Sequence, residues 1–358
     1  MAEPTPANDD ASSIIMTVGT RQSPLALAQT DIVVSALQNL FPTSSFPVHS
    51  MTTTGDRDQQ TALYDFGGKG LWTSQLEEKL VARELDMVVH SLKDMPTSLP
   101  AGCALGCITR REDPRDTLVI KASLAQEKGC KTLADLPEGA IIGTSSVRRI
   151  AQLARRYPRL RFKDVRGNIQ TRLRKLDEDP DLTAIVLAAA GLQRMGLGDR
   201  ISQYLDMDGG GILHAVGQGA LGVECRAGDE RVLRALRRLA DEPTTLACLA
   251  ERSLMRTLEG GCSVPIGVET KWVEAGKLRF RAAVVSAAGT EAVDVEFTET
   301  VTSAAAAEEL GKRAAQELVS RGADKILDIV NAARTKGGSL AAAAQAPMAV
   351  AERGGAET

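Results

Sequence analysis

Up to about residue 240, this 358-residue chain alternates short β-branched runs with stretches of helical periodicity. That alternation leaves few folds open, because strand, helix and strand in succession close most readily as a parallel crossover unit. The runs at 13–18, 46–51, 85–91, 140–143, 160–165 and 183–189 read as strands. Apolar periodicity predicts helices over about 25–40 and 72–84, and the strands at 140–143 and 160–165 feed helices directly. Parallel, doubly wound sheets are the expected outcome. No internal repeat stands out.

After about residue 241 the pattern changes. A helix is predicted over about 244–258, followed by the loop Glu259-Gly260-Gly261-Cys262-Ser263-Val264-Pro265 and three strand-like runs at 266–272, 277–286 and 291–300. Ala287-Ala288-Gly289-Thr290 joins the last two runs and suits a turn. Helices rich in Ala, Glu and Leu are expected over about 303–320 and 323–334. This reads as a small α+β domain with a three-stranded antiparallel sheet. Residues 1–12 and 337–358 read as disordered tails.

A hydrophobic content of 43% suits a chain that buries a real core. Apolar runs stay short of the ~18 residues of a membrane span, so no membrane is expected as a partner. The acidic N-terminus resembles neither a secretory signal nor an Arg-rich transit peptide, which makes the cytoplasm the expected location. Six scattered cysteines fit a reducing compartment. Cys103 and Cys107 lie four apart without a second pair, so no metal site is expected. Without an extended apolar surface helix, a monomer is expected.

Charge is less evenly spread. Eleven basic residues and one acidic residue, Asp164, fall between Arg148 and Lys175, in a chain of formal net charge −3. Arg148 and Arg149 sit just inside a predicted helix start, which Thr144 or Ser145 could cap. A helix N-terminus is itself positive, so cations there are disfavoured by a few tenths to about 1 kcal/mol each. An anionic ligand would offset that cost.

Other cations repeat the placement. Arg21, Lys93, Arg166 and Arg194 each follow a predicted strand, and Arg172 lies early in the helix after Arg166. In open α/β sheets the carboxyl edge of the strands is where ligands bind. Gly19, Ser23, Gly143, Ser145, Ser146 and Gly167 beside them allow backbone N–H groups to approach an anion. Arg155, Arg156, Arg159 and Arg161 instead read as a solvated helix face and loop.

Nucleic acid fits poorly as the anion, given 3% aromatic residues and few platforms for base stacking. Gly67-Gly68-Lys69-Gly70 lacks the following Ser or Thr and the preceding strand of a phosphate-binding loop. A polycarboxylate, which guanidinium groups grip bidentately, fits best. Asp94, in His90-Ser91-Leu92-Lys93-Asp94, reads either as a turn carboxylate paired with lysine or as a carboxylate that stabilises a cationic intermediate or moves protons. Cys262 stays open between a structural loop residue and a covalent attachment point. The three histidines, His49, His90 and His214, give no certain partner for it.

Taken together, GTRQSPLALAQT (19–30), MTTTGD (51–56), VVHSLKDMPT (88–97), GTSSVRRIAQL (143–153), VRGNIQTRLRKLD (165–177), AAAGLQRMG (188–196), AVGQGALGVECR (215–226) and LEGGCSVPIG (258–267) resemble the hydroxymethylbilane synthase, or porphobilinogen deaminase, family. The resemblance implies a transferase of tetrapyrrole (heme) biosynthesis. It joins four porphobilinogen molecules head to tail with loss of ammonia, then releases hydroxymethylbilane by hydrolysis. It implies a dipyrromethane cofactor, covalently held as a thioether on Cys262, and catalysis by Asp94. Carboxylates of cofactor and substrate would be bound by Arg21, Ser23, Gln29, Ser91 and Lys93, by Thr144, Ser145, Ser146, Arg148 and Arg149, and by Arg166, Gly167, Arg172, Arg194 and Gln218. The implied fold has two periplasmic-binding-protein-like domains forming a cleft: domain 1 at 13–116 and 216–240, and domain 2 at 117–215, inserted into it. Domain 3, at 241–336, presents the cysteine. The chain departs from the resemblance at Ser74-Gln75, where the family commonly carries a charged pair. The rival reading is a non-catalytic carboxylate-binding module of the same two-domain architecture.

Overall fold

The computed structural model describes residues 14–57, 72–127, 129–258 and 264–335. Cys262, Gly67–Gly70 and both terminal tails lie outside them. The first lobe comprises β1 (Val18–Arg21), α1 (Pro24–Leu40), β2 (Val48–Met51), α2 (Thr54–Arg57), α3 (Ser74–Val81), β3 (Met87–Ser91) and β4 (Cys103–Ile108). The second comprises β5 (Asp116–Ile120), α4 (Ala122–Glu127), β6 (Ile141–Gly143), α5 (Val147–Arg156), β7 (Arg161–Lys163), α6 (Ile169–Glu178), β8 (Leu182–Ala188), α7 (Ala189–Arg194) and β9 (Gln203–Leu205). The chain then returns through β10 (Leu221–Arg226) and α8 (Glu230–Leu239). The last part holds α9 (Glu242–Thr257), β11 (Ile266–Glu274), β12 (Lys277–Val285), β13 (Ala292–Thr300), α10 (Ala304–Ser320) and α11 (Ala323–Thr335).

Two five-stranded sheets carry the lobes, ordered β2-β1-β3-β10-β4 and β7-β6-β8-β5-β9. They share one plan. Three strands run parallel, and a strand arriving from the other lobe joins them antiparallel: β10 against β3, β5 against β8. The sheets are therefore mixed, where the alternation pointed to parallel ones. The repeated plan escaped the sequence because its two copies are split across the crossings. β5 and β10 each follow an irregular crossing, 109–115 and 206–220, so no helix before them marks a parallel crossover. In the third unit β11, β12 and β13 form the expected antiparallel meander.

Apolar packing fixes these layers. Val33 and Leu37 of α1 meet Val18, Met87 and Val89 of the first sheet, with Val232 and Leu236 of α8 in the same cluster. Faces of the second sheet hold separate clusters around Ile142 and Val186 and around Ile185 and Leu187. Phe280, fully buried against α9 and α10, centres the third unit. Side chains of this size stabilise by about 1.5–3 kcal/mol each when fully buried. Helix starts are capped as their sequences suggest: Ser23 accepts from Ala26 N, Asn168 from Thr171 N and Asp241 from Thr244 N. Among the described residues no helix is long and apolar enough to cross a membrane.

Candidate functional site

The carboxyl ends of the parallel strands in the two lobes carry the cations, joined across the two crossings, 109–115 and 206–220. Arg21 is the last residue of β1 rather than following it. Its Nε donates to Asp56 Oδ2 at 3.2 Å, its Nη2 pairs with Asp56 Oδ1, and its guanidinium lies 4.0 Å from the centre of the Trp72 ring. Its Nη1 is 4.0 Å from Asp94 Oδ2. Burial alone would raise the Asp56 carboxyl, but hydrogen bonds and charge from Arg21 outweigh it and hold the pKa below the usual range.

Asp94 ends the single 3-10 turn Leu92–Asp94 after β3, with its side chain 30% exposed. Lys93 beside it reaches Gln218 Oε1 at 3.4 Å. Burial pushes Lys93 down to about 8, although Asp94 pulls the other way. Ser91 and Gln29 hydrogen-bond one another at 2.9 Å, bracing the end of β3 against α1. Ser23 serves as the α1 cap.

In the second lobe, Ser146 occupies the N-cap of α5 and makes no side-chain capping bond. Neither Thr144 nor Ser145 caps this helix, contrary to expectation. Thr144 Oγ1 accepts from Ser146 N, and Ser145 Oγ donates to Val165 O at 2.9 Å, so both hydroxyls are engaged one step too early. Arg148 and Arg149 are buried and meet Asp116, the fully buried first residue of β5. Arg148 Nη1 donates to Asp116 Oδ2 at 2.6 Å and to Leu213 O, while Arg149 donates to Asp116 Oδ1 through Nε at 3.0 Å and Nη2 at 2.7 Å. Part of the balancing anion thus belongs to the protein. Two guanidiniums against one carboxylate still leave a positive excess.

Arg166 is 6% exposed, and its Nη1 has no hydrogen-bond partner among the described residues. Arg172 donates from Nε to Gly167 O at 2.7 Å. That carbonyl is presented by a glycine at φ +114°, where a Cβ would also meet Thr171 at 2.8 Å. Burial, then the like charges of Arg149 and Arg166, lower Arg172 to about 10. Arg194 Nη2 donates to Gly219 O at 2.7 Å, and burial lowers its pKa as well. Arg155, Arg156, Arg159 and Arg161 lie exposed, Arg155 paired with Asp294 at 2.8 Å.

Sequence reasoning missed Asp56, Trp72 and Asp116. Asp116 had a signal: an aspartate heading the apolar run Leu118-Val119-Ile120 needs a cation when the strand is buried. Asp56 and Trp72 had none, because their partner Arg21 is distant in sequence.

The arrangement defines the class: an α/β protein whose guanidiniums cluster with a part-exposed carboxylate, Asp94, at the carboxyl ends of its strands. The comparisons give the family. A family model described as porphobilinogen deaminase, dipyromethane cofactor binding domain, matches residues 16–234, and one described as porphobilinogen deaminase, C-terminal domain, matches 245–320. Porphobilinogen deaminase of Neurospora crassa is 56% identical over 325 residues, covering 90% of this chain and 96% of that one. The Saccharomyces cerevisiae protein of that name is 49% identical over 328 residues, 89% of this chain and 98% of its own. Among solved structures, the periplasmic aliphatic sulphonate binding protein SsuA from Escherichia coli aligns at TM-score 0.37 and 12% identity, over 68% of this chain and 70% of that one. The chain belongs to the porphobilinogen deaminase family, and the reading as a non-catalytic binding module falls away.

Proposed function

We propose that this protein condenses four porphobilinogen molecules head to tail, releasing one ammonia per molecule, and then frees hydroxymethylbilane by hydrolysis. The observation that carries the site reading is Arg166. Its Nη1 is buried without a hydrogen-bond partner among the described residues, close to Arg172. An unpaired buried donor is costly, and a carboxylate is the ligand that satisfies it.

Each porphobilinogen ring carries two carboxylates, so the donor set suits both substrate and a dipyrromethane. Cys262 would hold the dipyrromethane as a thioether, and that group would supply the free pyrrole position for chain growth. Arg148, Arg149, Arg166 and Arg172 bind carboxylates from the second lobe, and Arg21 and Lys93 from the first. Thr144, Ser145, Ser146, Gly167, Arg194 and Gln218 complete that surface, with Ser23, Gln29 and Ser91 bracing the first lobe. Asp94 stands next to Arg21 and Lys93, partly open to the cleft. As the aminomethyl C–N bond breaks and ammonia leaves, positive charge develops on the pyrrole nitrogen, and a fixed carboxylate there lowers the barrier. Asp94 is also placed to take the nitrogen proton and return it. We further propose a cytoplasmic monomer, consistent with the charge and composition of the chain.

Incubation with porphobilinogen tests this. The expected result is a linear tetrapyrrole with one ammonia released per porphobilinogen consumed. Porphobilinogen bound but unconsumed would refute it.

A further inference from the structure

We propose that Asp116 is a positioning residue that sets the spacing between the two halves of the anion site, tying Arg148 and Arg149 to the inter-lobe crossing and, through Gln218, to Lys93 beside Asp94. This rests on the deaminase reading above. Asp116 is the first residue after the outgoing crossing, and Gln218 lies in the returning one. Gln218 Nε2 donates to Asp116 Oδ1 at 3.0 Å and to Pro114 O at 2.7 Å, while its Oε1 accepts from Lys93 Nζ at 3.4 Å. One buried carboxylate therefore touches both arginines at the start of α5 and the returning crossing at once.

Neutralising a single arginine would need only one of these contacts. The crossing is also packed tightly where the contact is made. Gly217 has φ +69°, and a Cβ there would meet Leu92 at 2.9 Å, directly before Lys93. A shift of Asp116 thus reaches the Lys93–Asp94 turn through a hydrogen bond and through a close-packed neighbour. Catalysis needs the reacting atoms held within a fraction of an ångström, so such a strut acts on substrate placement.

Charge gives a way to read the strut. Lys93 is faced by Asp94 on its own turn, by Arg149 and Arg148 of α5, by Asp116 of β5 and by the neutral Gln218. Burial lowers it to about 8, and the Asp94 and Asp116 carboxylates act in the opposite direction. Removing the Asp116 charge moves Lys93 further down.

The test uses the cofactor-loaded protein, with the Lys93 titration followed by nitrogen NMR of labelled lysine and KM for porphobilinogen measured alongside. Asp116→Asn is expected to lower the Lys93 midpoint by about half a pH unit or more and to raise KM about tenfold. Asp116→Glu keeps the charge and displaces it, so the midpoint stays near wild type while KM still rises. A wild-type midpoint and KM in Asp116→Asn overturns the inference, as does a midpoint in Asp116→Glu shifted as far as in the Asn variant. Should Asp116→Asn fail to fold, Gln218→Met severs the crossing contact without exposing a buried charge. A raised KM together with a lowered Lys93 midpoint there supports the strut, and a wild-type KM, or a raised KM with a wild-type midpoint, overturns it. Turnover of porphobilinogen by the unaltered protein tests the deaminase reading separately.

Discussion

Arg21 Nη1 lies 4.0 Å from Asp94 Oδ2, and Arg21 is clasped from its other side by Asp56. A cation beside the proposed catalytic carboxylate is thus held in place by a second carboxylate and a tryptophan face. Removing the clasp with Asp56→Ala lets Arg21 sample several rotamers. Ordering one such side chain costs roughly 0.5–1.5 kcal/mol. Steady-state kinetics should show KM for porphobilinogen rising ~2- to 12-fold, with a smaller change in kcat. An unaltered KM would show that the clasp does not prepare the site.

Asp94→Asn removes the charge and keeps the shape. With the carboxylate stabilising the developing cation, kcat is expected to fall by about 100- to 1,000-fold, the range for losing one preorganised electrostatic group. Circular dichroism should be unchanged, because the side chain is part-exposed and outside the core clusters. Near-normal turnover would remove Asp94 from the mechanism.

The pH profile follows from Lys93. Its ammonium form is the one that binds carboxylate, and its pKa is depressed to about 8. As pH rises through 8 the charge is lost, so kcat/KM should fall on the alkaline side. Lys93→Arg keeps a cation far above that range. The alkaline limb should disappear in this variant even if the rate drops. A limb unchanged in Lys93→Arg would assign it to another group.

Stability should decline on the acid side in two stages. His214 is buried and pushed from 6.5 to about 4, first by burial and then by Arg111, so the unfolded chain binds the extra proton and stability falls as pH drops below 6.5. Asp116 and Glu251 would be raised by burial, but their arginine partners outweigh it and hold both below their ordinary values. Their contribution is complete above the ordinary carboxylate range and is lost as pH falls through the folded values. Melting temperature against pH checks both stages. Glu251→Gln, which leaves Arg111 buried beside Thr270, should cost about 3–5 kcal/mol at neutral pH. A loss under about 1 kcal/mol would mean the pair is solvated in solution.

The strand-end cations were legible in the sequence because each lies at the end of a β-branched run or within the first turns after it, from Arg21 as the last residue of β1 to Arg194 at the end of α7, and a carboxyl strand edge needs no tertiary knowledge to locate. The surface group Arg155, Arg156, Arg159 and Arg161 was legible for the opposite reason, since no strand end lies before the first two. What the sequence hid is the protein's own set of anions. Asp56 and Asp116 stand 35 residues from Arg21 and 32 from Arg148 respectively, and only the fold makes them neighbours. The mixed sheets were hidden in the same way. β5 and β10 enter antiparallel because each arrives from the other lobe, and nothing local in Thr117–Ile120 or Leu221–Arg226 specifies direction.

The central claim is a covalent cofactor on Cys262 in a cleft built for carboxylates. Intact mass of the purified protein tests it most directly, compared with the Cys262→Ala variant. The account predicts that the wild-type protein exceeds its sequence mass by one dipyrromethane while Cys262→Ala does not. Equal adducts on both, or a wild-type mass matching the sequence alone, would contradict it.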